Sequence, residues 1–297
     1  MHRFNIIGID LGSNTLRVAL MNSSFETLKA REFIVGSARN LRVGGKLDLE
    51  AKKRILNALK VVKKEFPLTN NPHIAVATEA FRMASDADEL FAYIKDQFDI
   101  NFRVIKAIDE CKFVSLAVKK RLELLGLNFR APLIVDLGGA STEISFGKIF
   151  KSFEFGIIRF YNDYSNLASM MINSSHTTKN AKEFITHLQP DGIILSSGVP
   201  TTLAALKLDL PYSEHLAYLV NGISIKFSEL PKFRDEVLRY SKEEADYKLG
   251  DNRQMLVLAG IILLESLFGE KKEFVVIDDG LREGIMISEI LRRLDDI

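Results

Sequence analysis

Two stretches of the chain share one pattern of apolar and polar positions. Residues 6–18 and 133–144 each begin with an apolar run, continue through Asp-Leu-Gly and small hydroxyl residues, and end in alternating apolar and polar positions. A period of two indicates a half-buried strand, so each stretch predicts a strand, a tight turn and a second strand. Walker loops and Rossmann turns are excluded because both lead into a helix.

The rest of the pattern predicts an α/β protein with two similar halves. Strands are expected at 4–10, 16–21, 27–35, 73–77, 102–107, 132–137, 143–149, 151–157, 192–196 and 274–277. Helices are expected at 49–66, 85–98, 109–125, 179–188, 201–207, 229–240, 253–268 and 283–294, with Ser85 or Asp86 capping the second. The span 161–180 is polar and has no assignment. Gly126 ends a helix, so the domains are expected at 1–125 and 126–282.

The residue types of the two turns suit a phosphate. Glycine lets a turn wrap closely around a ligand, and successive backbone N–H groups form a concave anion site. Hydroxyl donors are added by Ser13, Thr15, Ser141 and Thr142. Asp10 and Asp136 each end a strand, where a carboxylate could hold a divalent metal that counters phosphate charge. One such turn would be an ordinary β-turn, but its recurrence favours phosphate binding.

Composition narrows the class of protein. A length of 297 residues fits two domains. The chain has 40 basic and 39 acidic residues, so its charge does not indicate a surface that binds nucleic acid. The single cysteine, Cys111, allows no internal disulfide, so a reducing cytoplasm is expected. The chain starts directly with a strand, so no signal peptide is expected. The longest apolar stretch, 256–264, is too short to span a bilayer, so no membrane partner is expected.

These motifs resemble the exopolyphosphatase / guanosine pentaphosphate phosphohydrolase family of the actin-like ATPase superfamily. Residues 8–15 and 136–143 resemble its two phosphate motifs, and 77–82, 155–159 and 279–284 are similar to further family segments. The resemblance covers nearly the whole chain. It implies two actin-like (ribonuclease H-like) α/β domains with an interdomain cleft. It also implies that a C-terminal helix, 283–297, packs back on the first domain, and that the C-terminal helical domains of larger members are missing.

The resemblance implies a hydrolase that uses Mg²⁺ to release terminal orthophosphate from inorganic polyphosphate or guanosine pentaphosphate. The family's catalytic base matches Glu110, although spacing alone would make Asp109 and Glu110 ordinary acids of a first helical turn. Asp136 and Glu143 are the expected metal ligands, and Asp10 would contribute through water. The expected phosphate-binding residues are Gly12, Ser13, Asn14, Thr15, Arg17, Arg82, Gly138, Gly139, Ala140, Ser141, Thr142, Ser197 and Gly198. From sequence alone, the two arginines could equally be solvated surface residues.

Three segments depart from the family pattern. Residues 106–108 replace the Ser-Gly that precedes the catalytic segment, and 196–201 replaces a Thr-Ser-Gly-Thr turn. Ala140 replaces a glycine, and its Cβ would crowd a phosphate or forbid a positive φ.

Other functions stay open at this stage. One alternative is a small-molecule kinase of the same superfamily, which would need an adenosine pocket. The altered turn at 196–201 argues against such a pocket. The departures at 106–108 and Ala140 motivate a polyphosphate or alarmone sensor with little turnover. Cys111 suggests a cysteine phosphatase, but no Cys-x5-Arg loop is present, so a packing role is favoured. Homodimerisation is suggested by the resemblance alone.

Overall fold

The computed structural model describes residues 4–212, 217–269 and 272–295, and these residues form two compact units. Unit 1 comprises the described residues of Met1–Ala117 and Leu281–Ile297, and unit 2 comprises those of Val118–Gly280. Each unit has its own mixed β-sheet with helices, so the α/β prediction is confirmed. The domain ranges 1–125 and 126–282 stay predictions.

Unit 1 is built on a five-stranded sheet. Its strands are β1 (Asn5–Leu11), β2 (Thr15–Asn22), β3 (Thr27–Ile34), β4 (His73–Ala77) and β5 (Phe102–Val104). Its helices are α1 (Leu49–Glu65), α2 (Glu79–Met83), α3 (Ala87–Phe98), the first part of α4 (Ala107–Leu124) and α12 (Leu281–Asp295). The strand order is β3-β2-β1-β4-β5. The first three strands form an antiparallel meander, whereas β1, β4 and β5 are parallel.

The C-terminal helix α12 packs closely within unit 1. A Cβ on Gly8 of β1 would lie 2.7 Å from Cγ of Met286, and a Cβ on Gly284 would lie 2.1 Å from the carbonyl oxygen of Phe113 in α4. Contacts this short are not available to a side chain, so glycine is what allows α12 to approach β1 and α4.

Asp86 joins α1 to the start of α3. It occupies the N-cap position of α3, but its carboxylate makes no capping hydrogen bond there. Instead it forms an ion pair with Lys52 at 2.6 Å and accepts the N–H of Leu47 at 3.0 Å. Burial would raise the pKa of Asp86, but Lys52 and the Leu47 N–H outweigh it and lower the pKa below its ordinary value.

We expect Asp86→Asn to lower the free energy of unfolding at pH 7 by about 2 kcal/mol, because the ammonium of Lys52 loses its partner. Since the folded pKa is depressed, this stabilisation is present above the unfolded pKa of about 3.9 and is lost as pH falls through the folded pKa. Urea denaturation followed by circular dichroism should therefore show a smaller difference at pH 3 than at pH 7. The exposed Asp88→Asn is the control, and a pH-independent difference would contradict the ion-pair explanation.

Unit 2 is built on a six-stranded sheet. Its strands are β6 (Pro132–Leu137), β7 (Thr142–Phe146), β8 (Ile149–Phe153), β9 (Gly192–Ser196), β10 (Ser224–Lys226) and β11 (Glu273–Val276). Its helices, besides the end of α4, are α5 (Ile157–Asp163), α6 (Leu167–Thr186), α7 (Gly198–Lys207), α8 (Ala217–Val220), α9 (Leu230–Arg239), α10 (Lys242–Leu249) and α11 (Gln254–Phe268). The strand order is β10-β11-β9-β6-β7-β8, with β6, β9 and β11 parallel.

Several predicted bounds are corrected by the structure. The unassigned span 161–180 lies mostly in α6, and α10 was not predicted. The strand expected at 143–149 ends at Phe146, because Gly147, with φ of 59°, makes the turn after it. The strand expected at 151–157 lies at Ile149–Phe153 instead, and α5 begins at Ile157. The strand expected at 102–107 ends at Val104, since α4 begins at Ala107. Among the residues described, no helix combines the length and apolar character that crossing a membrane requires.

Candidate functional site

In unit 1, the predicted site segments gather at one edge of the sheet. The parallel strands β1, β4 and β5 end together, since the N–H of Thr78 bonds to the carbonyl of Leu11 and the N–H of Ile105 bonds to that of Ala77. The segments that follow these ends are the first turn, residues 12–15, then α2 with Arg82, and α4 with Glu110. The carboxyl edge of parallel strands is where α/β sheets commonly bind ligands.

Hydrogen bonds from residues 35–38 fix the first turn, so that two of its amides point away from those residues. The carbonyl of Ser13 accepts the N–H of Ala38, and the carbonyl of Asn14 accepts those of Val35 and Gly36, all at 2.8 Å. In a trans peptide the N–H points opposite to the carbonyl, so the amides of Asn14 and Thr15 face the other way. The N–H of Gly12 is not available to a ligand, because it closes the turn on the carbonyl of Thr15.

The second turn, residues 138–141, is held from behind in the same manner. The carbonyl of Gly138 accepts the N–H of Ile157 at 2.9 Å, and the carbonyl of Gly139 accepts that of Ile158 at 2.7 Å. Both donors lie in the first turn of α5, whose amides have no partners within the helix. The amides of Gly139 and Ala140 therefore face the opposite side, as an anion site requires.

Two predicted phosphate ligands support this turn instead of presenting their hydroxyls. Thr142 is fully buried, and its hydroxyl donates to the carbonyl of Phe155 at 2.7 Å. The hydroxyl of Ser197 donates to the carbonyl of Leu137 at 2.7 Å, and its backbone has a φ of 91°. A non-glycine residue in that region is strained. The Ser197 hydroxyl thus fixes the end of β6 and the Thr142 hydroxyl fixes the segment before α5. Phosphate binding by these two residues stays a prediction.

The predicted reason for glycine in the turns is also corrected. Gly12, Gly138 and Ala140 all lie outside the left-handed region of φ, so Ala140 conflicts with no backbone requirement. Space is what matters at Gly138, where a Cβ would lie 2.8 Å from the carbonyl oxygen of Ser141, whereas one on Gly12 would make an ordinary contact of 3.6 Å. Ala140 itself is buried.

Arg82 and Glu110, both predicted from sequence, form an ion pair in unit 1. Nη1 of Arg82 lies 3.1 Å from Oε2 of Glu110 and donates to the carbonyl of Ile105 at 2.8 Å. The guanidinium also binds Oε2 of Glu79 at 2.7 Å through Nη2 and 2.8 Å through Nε. Burial would lower the pKa of Arg82, but Glu110 and Glu79 raise it above its ordinary value, so the guanidinium stays charged.

Glu79 was missed by the sequence analysis. The signal that could have found it is its position three residues before Arg82 on a helix, where opposite charges meet. Between Glu79 and Glu110, the guanidinium holds the Glu110 side chain, which is 11% exposed, in one orientation.

Arg17 lies in a comparable arrangement at the first hairpin. It is directly opposite Asp10 across β1 and β2, and its Nε donates to Oε2 of Glu32 on β3 at 2.9 Å. Arg17 is thus oriented by the sheet, and a phosphate that reached it would compete with Glu32.

The two predicted metal ligands of unit 2 are cross-strand neighbours. Asp136 of β6 lies opposite Glu143 of β7, so their Cβ atoms are about 5 Å apart on one face of the sheet. Oε1 of the buried Glu143 accepts the hydroxyl of Ser152 at 2.8 Å. Its Oε2 would lie 3.8 Å from a Cβ on Gly138, beside the second turn.

This donor set fits Mg²⁺, which takes one or two carboxylates and completes its shell with water and phosphate oxygens. No group of three or more His, Cys, Asp or Glu suited to a metal occurs in the part of the chain that the structure describes. A metal at this place would therefore depend on the Asp136 and Glu143 pair.

The remaining residues singled out by the sequence analysis are Gly198, Cys111, Ser13 and Ser141. Gly198 begins α7, and its carbonyl lies 3.4 Å from Nη2 of Arg253. Cys111 is 2% exposed, which fits the packing role that the sequence favoured. Ser13 and Ser141 are buried in their turns.

The structure thus consists of two α/β units, each with a hairpin turn held by backbone hydrogen bonds at the carboxyl ends of its parallel strands. A model of the Ppx/GppA phosphatase family matches residues 18–293. The chain therefore belongs to the Ppx/GppA phosphatase family, as the motifs predicted.

Relatives support this membership and the fold. A guanosine-5'-triphosphate,3'-diphosphate pyrophosphatase of Pseudoalteromonas translucida is 24% identical over 298 residues, which cover 94% of this chain and 58% of that protein. The chain thus spans about three fifths of the length of the pyrophosphatases it matches. A Haemophilus influenzae protein whose exopolyphosphatase assignment is unconfirmed is 26% identical, over 86% of this chain and 95% of that protein.

The crystal structure of the Aquifex aeolicus member of the Ppx/GppA family has a TM-score of 0.80 and 25% identity. The match covers 98% of this chain and 99% of that one. The predicted fold class of two actin-like α/β units is confirmed by this match.

Proposed function

We propose that this protein is a hydrolase that releases terminal orthophosphate from a phosphoanhydride, either inorganic polyphosphate or guanosine pentaphosphate. The observation that carries the proposal is the pair of turns whose carbonyls accept hydrogen bonds from neighbouring backbone. Because these carbonyls are held, two successive amides of each turn point to the opposite side, where they can bind an anion. The names of the relatives supply the two candidate substrates.

In the proposed reaction, Glu110 accepts a proton from water as the water oxygen bonds to the terminal phosphorus. The bond from that phosphorus to the bridging oxygen breaks, and the shortened chain leaves with the electron pair. Glu110 lies in the first turn of α4, where the helix dipole favours the ionised carboxylate that such a base needs. Arg82 orients Glu110 and balances charge near the phosphates.

Phosphatases of this family generally depend on a divalent metal, and we propose Mg²⁺ held by Asp136 and Glu143. When bound, such an ion neutralises phosphate oxygens and stabilises charge that develops on the leaving group. The backbone amides of residues 14–15 and 139–140 are the groups proposed to bind phosphate. Arg17, which lies on β2 just after the first turn, is proposed to assist in unit 1. A contribution of Asp10, a cytoplasmic location and a homodimer stay predictions.

The test is phosphate release by the full chain from each substrate, measured with a colorimetric phosphate assay in Mg²⁺ and in excess chelator. We expect release from at least one substrate, with orthophosphate and a chain shorter by one unit as products in ³¹P NMR. The chelator should reduce the rate to background. Tight binding of both substrates without any release would contradict the hydrolase and favour the sensor, and phosphate transfer to a small acceptor would favour the kinase.

A further inference from the structure

Four polar residues form a row across the sheet of unit 2, one on each of four adjacent strands. Asp136 lies beside Ser196 of β9 on one side and Glu143 of β7 on the other, and Ser152 of β8 follows Glu143. Neighbouring strands are about 4.8 Å apart, and residues in register share one face. The apolar core of unit 2 is made by the alternate residues Val135, Leu195 and Ile144, so the row lies on the opposite face.

Ser196 stands out in this row because of its hydroxyl. The residue is 1% exposed, and Oγ is buried without a hydrogen-bond partner within the described ranges. At the other end of the row, by contrast, the Ser152 hydroxyl is bonded to Glu143. A buried hydroxyl left unsatisfied is destabilising, so such a group calls for a bound partner such as an ordered water or ion.

The equivalent row of unit 1 shows that the sheet itself does not need this hydroxyl. There the four residues in register are Val76, Asp10, Arg17 and Glu32. Val76 is fully buried and occupies the position that corresponds to Ser196. The unit 1 row contains the guanidinium of Arg17, bonded to Glu32, whereas the unit 2 row consists of oxygen donors alone. A hydroxyl at the position of a valine therefore has a purpose other than packing.

We propose that Ser196 is a positioning residue for the cation that Asp136 and Glu143 bind, with its hydroxyl bonded to a water of the hydrated ion. This inference rests on the metal site of the proposed function. Mg²⁺ keeps several of its waters when it binds to protein carboxylates, and groups that hold such outer ligands tune metal affinity. Ser196 is adjacent to Asp136, which places its hydroxyl on the side of that carboxylate away from Glu143.

The test compares Ser196→Val with Ser196→Thr, two variants that match in shape and differ in the hydroxyl. Binding of Mn²⁺, which suits the same oxygen ligands as Mg²⁺, is measured by electron paramagnetic resonance of the free ion, without substrate. We expect Ser196→Val to weaken Mn²⁺ binding about 10-fold and Ser196→Thr to bind close to wild type. Circular dichroism and thermal midpoints establish that both variants are folded.

Mn²⁺ binding by the Asp136→Asn variant shows whether the metal site itself exists, independently of the role of Ser196. If Asp136→Asn binds Mn²⁺ as wild type does, the metal site and the role of Ser196 are both wrong. If Asp136→Asn loses the ion while the valine and threonine variants bind it equally, the role of Ser196 alone is overturned. If the larger side chains prevent folding, Ser196→Ala provides the same comparison with wild type: unchanged affinity overturns the inference, and about 10-fold weaker binding supports it.

Discussion

Replacing Glu110 with glutamine is expected to lower the rate of phosphate release by about 10²- to 10⁴-fold, the usual contribution of a general base. Glutamine has nearly the same shape and can still accept a hydrogen bond from Arg82, but it cannot take a proton from the attacking water. The loss should appear in kcat for whichever substrate is hydrolysed. Substrate affinity should change little, because the base is not expected to hold the phosphates.

Asp109→Asn is the matched control for this experiment. Asp109 is the preceding residue, it is 44% exposed at its side chain, and its nearest cation is Lys112 at 3.5 Å. If both acids merely stabilise the start of α4, the two variants should behave alike. Equal rates for wild type and Glu110→Gln would overturn the assignment of the base without affecting membership of the family.

The hairpins were predictable because their signals are local. A period of two and an Asp-Leu-Gly turn occur within about a dozen residues, and the observed strands β1, β2, β6 and β7 follow them closely. The Asp136 and Glu143 pairing also follows from the short turn, since residues equally distant from its centre lie opposite one another.

The directions of the hydroxyls were less predictable. Thr142 was assigned to the phosphate, but the same alternation that predicts β7 places it on the face of Ile144, which is core. The carbonyl of Phe155, which its hydroxyl binds, is distant in sequence. Glu79 likewise gained its importance only when the fold brought Arg82 to Glu110.

The first half of α6, which precedes the helix predicted at 179–188, was missed because its buried face carries the polar residues Ser174 and Thr178. Thr178 is fully buried, with its hydroxyl bonded to the carbonyl of Ser174 and to Ser266 of α11. Bonds from a hydroxyl to the preceding turn satisfy the polar group without solvent, and a pattern read only as apolar against polar cannot register them.

Replacing Gly156 with alanine is expected to lower kcat about 100-fold while leaving the protein folded. Gly156 precedes α5 and lies against the second turn, where a Cβ would be 2.6 Å from the carbonyl carbon of Gly139 and 2.7 Å from the nitrogen of Ala140. Its backbone φ of −161° is accessible to any residue, so the conflict is with neighbouring backbone alone. The turn must move, and its outward amides move with it. A misplacement of about 1 Å in a positioning group can cost 10²-fold in rate.

Gly280→Ala is the control, since a Cβ there meets nothing within 4 Å. Kinetics with both substrates, together with unfolding midpoints, separate the loss of rate from the loss of stability, which overpacking makes about 1–3 kcal/mol. A Gly156→Ala variant with wild-type kcat would mean that the position of the second turn does not limit the reaction. The amides of Gly139 and Ala140 would then lose their proposed role, because they are the groups that this substitution displaces.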